Sequence, residues 1–341
     1  MHDIIQDSWG KVELFQEAFQ EYRLVVKEIY LRAKKILSFH SKHPHFKLKV
    51  LPLPEELFSL RRNLFSTLFQ SVYYLLDIPK SRRLLYAKLN HLFRIWVTSA
   101  DNLLDREDKI VIPLFMKGNS LVMRQVISIM AADRVLAEIL YESKNILTYQ
   151  QTKTIWHKTL QVLIPSAIEE ASEEGGIYFR PHPDYVLYTI HRLKTGLLFH
   201  VPFLGPDYIE KNISPKKLKL IKKGLDSFGL GCQLLDDIRD ISRDYLEKRH
   251  NYCLSIIFYF KHQDKIKRLK ILENKITTDT KIFSYFPQEV LQAKTKAEKL
   301  LNDGLICLRK SGLKITDEQI NKIVHSLFIV LDLKELIYAR Y

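Results

Sequence analysis

The chain has 341 residues, 46% of them apolar and 27% charged, a globular balance that excludes a disordered or fibrous protein. With only 11 glycines and 12 prolines it lacks the turn residues of an all-β fold, so the composition predicts long helices. The formal net charge of +14 suits an anionic partner, whether nucleic acid, an acidic membrane surface or a phosphorylated small molecule.

At the N-terminus, MHDIIQDSWGKVELF has no basic region followed by an apolar core, so no secretory signal is expected. Apolar residues then recur at helical spacing, as in Phe15, Phe19, Tyr22 and Val26 and again in Leu60, Leu64, Leu68 and Val72. Breaks at Pro52 and Pro54, Pro79, Pro113, Gly175 to Pro183, Pro202 to Pro206, Pro215 and Pro287 divide the chain into about ten helices. No gap is long or low in complexity and no fixed repeat is present, so residues 1–341 are expected to form one large helical domain. His40, His43 and His45 lack Cys or acid partners at ligand spacing and read as a loop. No apolar run approaches the ~18 residues of a membrane span. The scattered Cys232, Cys253 and Cys307 fit a reducing compartment. These features predict a soluble, cytoplasmic protein.

The first chemical signal is Asp101-Asn102-Leu103-Leu104-Asp105. On a helix, positions i and i+4 share a face, so Asp101 and Asp105 point the same way. The preceding Leu92, Phe93, Ile95, Trp96 and Val97 mark a buried helix that carries two acids at its end. Paired carboxylates repel unless a cation lies between them, and their hard oxygens suit magnesium. A solvated charge cluster fits this segment equally well. Further on, Lys194 precedes Thr195 and Gly196, where a loosening helix would present its ammonium to phosphate.

Ser214 and Pro215 read as the N-cap and first position of a helix running past Asp240. Along it Gly229, Gln233, Asp236, Asp240 and Asp244 follow helical steps, a stripe that turns from small to polar to acidic. Small residues beside a carboxylate row would leave space for a ligand. Lys216, Lys217, Lys219, Lys222 and Lys223 read as a solvated helix start. No GxGxxG, P-loop or GxSxG motif is present. A nucleic-acid binder would have no need of acids on buried helix faces, so no nucleic-acid partner is expected.

Together these segments resemble the trans-isoprenyl diphosphate synthase superfamily. Asp101-Asn102-Leu-Leu-Asp105 looks like its first aspartate-rich motif, DDxxD, with Asn102 at the second aspartate. Lys194-Thr195-Gly196-Leu-Leu-Phe199 is similar to its KTG-x-LF segment, and Gln233-Leu-Leu-Asp236-Asp237-Ile-Arg-Asp240, with Asp244, matches its second motif. The stretch from Asn119 to Leu140, with Asp133 in an apolar helix, resembles the family's segment after the first motif. The resemblance covers roughly residues 90–250. It implies an all-α fold, a single large helical bundle of the isoprenoid synthase type around a central apolar active-site cavity.

By the same resemblance, Asp101 and Asp105 would hold two magnesium ions, and Asp236 a third with Asp237 and Asp240. Lys194, Thr195, Gln233 and Arg239 would contact a prenyl diphosphate substrate. Trp96 falls where family members carry an aromatic that limits chain length. Elongating members also carry a GGKxxR-like segment, for which Phe46-Lys47-Leu-Lys49 is a poor stand-in, and paired arginines after the first motif. Here only Arg106, Lys109 and Arg124 come after it. Retained metal motifs with eroded acceptor motifs lead to an expected class I terpene synthase. The alternatives are a prenyltransferase joining an allylic diphosphate to isopentenyl diphosphate or another acceptor, and a non-catalytic subunit. A homodimer is expected by analogy, and the lysine run from Lys216 to Lys223 leaves peripheral contact with an acidic membrane surface as a secondary expectation.

Overall fold

The computed structural model describes residues 4–38, 48–116, 118 and 120–338. His40, His43, His45, Phe46, Lys47 and Asn119 lie outside these residues. Among the described residues five helices span 22 to 25 residues each, and the only strands are Leu48–Val50 and Leu114–Met116, paired antiparallel. No described helix is long and apolar enough to cross a membrane. The chain gathers into two compact units, Trp9–Lys158 with Val201–Ile213, and Met1–Ser8 with Thr159–His200 and Ser214–Tyr341.

In the first unit the Glu13–Ile36 helix buries Phe15, Tyr22 and Val26 of the stripe its periodicity predicts, together with Val25 and Ile29, whereas Phe19 stays half-buried. It packs against Leu64–Leu75 and Lys80–Leu104, and the latter packs against Leu121–Glu142. Pro79, extended at φ −58° and ψ 145°, delimits the start of Lys80–Leu104. Where these helices meet, the buried Glu21 carboxylate accepts from Arg83 Nη2 and Gln70 Nε2, each at 2.8 Å.

In the second unit the Pro215–Arg239 helix lies along Pro287–Lys310. Ser214 caps it by accepting from the Lys217 N–H, with Pro215 in the first turn, as the sequence predicts. Its glycines have another use than the one expected of them. A Cβ on Gly229 would lie 2.7 Å from Phe199 Cδ2, and one on Gly304 2.7 Å from the Gly224 carbonyl oxygen. The small residues therefore let backbone and rings approach closely; they do not leave space for a ligand.

The helix also stops at Arg239, short of the expected end. Asp240 leaves it at φ −97° and ψ 18°, and a new helix, Ile241–Leu246, carries Asp244. The acidic stripe is thus broken between Asp240 and Asp244.

Candidate active site

In the first unit, Asp101 and Asp105 lie one turn apart where Lys80–Leu104 ends, both part-exposed. Arg106 closes the helix in the left-handed region at φ 56°, and the Glu107 N–H donates to the Asn102 carbonyl at 3.0 Å. Asn102 itself is 3% exposed. Its Nδ2 donates to the Lys109 carbonyl at 2.8 Å, and its Oδ1 accepts from the Lys109 N–H at 3.1 Å. An ionised aspartate could make only the second of these bonds. The departure from the family's motif thus has a structural cause: residue 102 clamps the loop behind the acids.

Beyond that loop, Lys109 pairs with Glu107, and Arg124 with Asp108 at 2.9 Å. Trp96 donates from Nε1 to the Ile129 carbonyl at 3.3 Å and meets Phe93 edge-on, so it serves helix packing.

One residue that sequence reasoning passed over is Arg94, two helical turns before Asp101 and so on the same face. It borders a small, part-open cleft of about 30 Å³ whose walls include Val26, Ile29, Leu57, Ile95 and Ile112. The guanidinium donates to Asn63 Oδ1 at 2.6 Å and to the Arg62 carbonyl at 2.9 Å. Among the described residues it has no carboxylate partner. Beside it lies His91, whose Nδ1 is 2.5 Å from the Tyr22 hydroxyl. Burial, then the charge of Arg94, push the His91 imidazole down to about 3.

In the second unit the second motif divides by helix face. Asp236 and Asp240 are part-exposed and share one cation: Arg239 forks onto both oxygens of Asp240 at 2.7 Å and reaches Asp236 Oδ1 at 2.9 Å. Asp237, one residue on from Asp236, turns inward and is 1% exposed. Its Oδ2 accepts from His191 Nε2 and from the Tyr252 N–H, each at 2.6 Å, and its Oδ1 from Gln233 Nε2 at 3.0 Å. Gln233 in turn receives the Thr195 hydroxyl. The expected substrate contacts Thr195 and Gln233 are thus joined to the buried Asp237 in one part-buried chain of hydrogen bonds.

Asn251 extends that chain, donating from Nδ2 to the Asp237 carbonyl at 2.7 Å and to Asp244 Oδ2 at 2.8 Å. Burial, then the charge of Asp237, push the Asp244 carboxyl well above the usual range.

Lys194 does end its helix, His191–Lys194, as the Thr-Gly break predicts. Its Nζ lies 3.2 Å from both Glu170 Oε1 and Glu173 Oε2. Burial alone would lower its pKa, but the charges of Glu173 and Glu170 outweigh burial and raise it. The acids were visible in the sequence as the run Glu169-Glu170…Glu173-Glu174, although nothing in their spacing tied them to Lys194. His191 and Asn251 gave no such signal.

The donor chemistry fits a divalent cation at Asp236 and Asp240, where a guanidinium now stands in for one. It does not fit Asp237, whose carboxylate is already taken by three donors. Among the described residues no three His, Cys, Asp or Glu side chains are grouped closely enough to hold a metal by themselves. An ion held by Asp236 and Asp240 would need the rest of its shell from water or phosphate oxygens, the kind of shell magnesium usually keeps.

No family model and no curated protein matches the sequence. Solved structures do match the fold. The decaprenyl diphosphate synthase of Rhodobacter capsulatus is 13% identical, with a TM-score of 0.60, over 93% of this chain and 98% of that one. The geranylgeranyl pyrophosphate synthetase of the archaeon Geoglobus acetivorans is 16% identical, with a TM-score of 0.58, over 94% and 99% respectively. The octaprenyl pyrophosphate synthase of Helicobacter pylori is 14% identical, with a TM-score of 0.58, over 89% and 98%. The chain therefore has the all-α isoprenoid synthase fold that its motifs resemble.

Proposed function

We propose that the chain is a magnesium-dependent prenyltransferase that condenses an allylic prenyl diphosphate with isopentenyl diphosphate. The observation that carries this reading over a terpene synthase is Arg94. A part-buried guanidinium whose partners among the described residues are all neutral (Asn63, Ser66, Tyr22 and the Arg62 carbonyl), at the edge of a small aliphatic cleft, suits an anionic head group. That is the chemistry of an acceptor diphosphate, for which the sequence offered no binding segment. The synthases named above, all prenyl diphosphate synthases by name, support the same choice.

In this reading Asp101, Asp105, Asp236 and Asp240 are the metal ligands, and Asp237 holds the second motif in place. Magnesium, when bound, neutralises the charge that develops on the departing diphosphate. Lys194 adds a fixed cation to the diphosphate's surroundings, and Thr195 and Gln233 hold its helix end in register. Residues 1–341 act as one catalytic domain. Cytoplasmic location, a homodimer and peripheral membrane contact belong to the same proposal; light scattering and cell fractionation test them.

The test is product analysis by mass spectrometry with geranyl, farnesyl and geranylgeranyl diphosphates, each with and without isopentenyl diphosphate. Longer diphosphates formed only with isopentenyl diphosphate are expected. In Arg94→Ala the KM for isopentenyl diphosphate rises while that for the allylic substrate stays. A hydrocarbon or alcohol formed from the allylic diphosphate alone would put a terpene synthase in its place. Silence in every tube would leave the non-catalytic subunit.

A further inference from the structure

We propose that Arg239 is a built-in counter-ion for the metal ligands, one that trades its carboxylates for the diphosphate when metal enters. The inference rests on the metal reading of Asp236 and Asp240. Its starting point is the geometry of one guanidinium on two acids: two parallel bonds of 2.7 Å to Asp240 and a third contact of 2.9 Å to Asp236. All three residues are part-exposed, so the guanidinium can leave without crossing a packed core.

The location makes a counter-ion necessary. Asp236 and Asp240 stand at the C-terminal end of the Pro215–Arg239 helix, whose carbonyls already carry partial negative charge. Two carboxylates added there would repel each other and the helix end. Arg239 offsets that repulsion in the metal-free protein. A divalent cation needs the same oxygens, so its entry displaces the guanidinium. A planar fork released beside a diphosphate finds a bidentate acceptor of higher charge than the one it left.

Metal alone therefore costs the protein three contacts, whereas metal with diphosphate restores them on phosphate. The two ligands bind with positive coupling, and by linkage each strengthens the other equally. The result is a site that resists free metal and fills when substrate is present. Arg239 thus keeps the substrate contact expected of it, but only after it has been released.

The test measures Mn²⁺ binding by electron paramagnetic resonance, with and without inorganic diphosphate, in wild type, Arg239→Gln, Arg239→Lys and Asp236→Asn. Circular dichroism establishes that each variant is folded. Wild type binds Mn²⁺ weakly alone and about tenfold or more tighter with diphosphate. Arg239→Gln binds Mn²⁺ alone about five- to tenfold tighter than wild type, and diphosphate then adds little. Arg239→Lys, with the charge but without the fork, falls between them and carries the test if the glutamine variant fails to fold.

Unchanged or weaker Mn²⁺ binding by Arg239→Gln overturns the counter-ion role. Asp236→Asn separates the two failures. If it loses Mn²⁺ binding in the presence of diphosphate, the metal reading stands however Arg239 behaves. If it binds as wild type does, the metal reading fails and the proposal with it.

Discussion

Replacing Asp237 by alanine separates an anchoring carboxylate from a metal ligand. The side chain is 1% exposed and satisfies three donors, His191 Nε2 and the Tyr252 N–H at 2.6 Å and Gln233 Nε2 at 3.0 Å. Two of these bonds run from groups held in the interior to a carboxylate, worth about 1.5–3 kcal/mol each, and the third about 1 kcal/mol. Alanine leaves the His191 and Tyr252 donors buried without an acceptor, strands the part-buried Gln233 amide and opens a small cavity, so Asp237→Ala should cost about 4–7 kcal/mol. Asp237→Asn keeps one acceptor but turns an amide toward a donor, and should lose about half as much. Urea denaturation followed by far-UV circular dichroism reads the loss. Because Trp9, Trp96 and Trp156 all belong to the first unit, their emission reports that unit by itself. A loss under ~1 kcal/mol, together with a tenfold fall in Mn²⁺ affinity, would refute the anchoring role and return Asp237 to the ligand set.

Three further substitutions or titrations have equally definite outcomes. Asn102→Asp would restore the family's motif letter yet lower stability by about 1–3 kcal/mol, read as a fall in melting temperature, because the Lys109 carbonyl loses its donor. Gly229→Ala would force the Phe199 ring aside from a contact of 2.7 Å and cost about 1–3 kcal/mol in urea denaturation, with no gain or loss of Mn²⁺ sites. His91, lowered from 6.5 to about 3, is neutral in the folded chain at pH 7 and takes up a proton on unfolding below pH 6.5. Its stabilising contribution is full above that value and declines as pH falls toward 3. Between pH 7 and pH 5 the first unit should lose about 2 kcal/mol by tryptophan emission, a loss that His91→Phe abolishes.

Local features were legible in the sequence because local rules produce them. Ser214 and Pro215 announced a helix start, Lys194 stands where the Thr-Gly break ends a helix, and the apolar stripe of Glu13–Ile36 is the one its spacing describes but for the half-buried Phe19. The second motif was legible as a motif and not as a set of roles. Asp236 and Asp237 are adjacent letters, but about 100° of helical rotation sends one toward solvent and the other into the core. Which of them turns inward depends on His191 and Tyr252, neither of which any spacing connects to the motif. The glycines were misread for the same reason: space beside a backbone serves a ligand or a neighbouring ring, and only the position of Phe199 decides. The helix end at Arg239 was not foreseen, since an acid such as Asp240 can continue a helix or cap its end equally well.

A surplus of cations does not by itself make a binding surface, and the arrangement of partners explains why the +14 total was uninformative about the substrate. Around the motifs the cations are already engaged: Arg239 on Asp236 and Asp240, Lys194 on Glu170 and Glu173, Arg124 on Asp108. A guanidinium paired in this way serves a phosphate only by giving up a carboxylate, so affinity for an anion is set by the difference between two partners. Where a divalent cation claims the carboxylates first, that difference vanishes and the guanidinium is released to the anion. Arg94 lacks a carboxylate altogether among the described residues, so an anion at its cleft need displace none. On the proposed function the cleft at Arg94 should therefore bind an acceptor anion without metal, whereas Asp236 and Asp240 should need metal and diphosphate together.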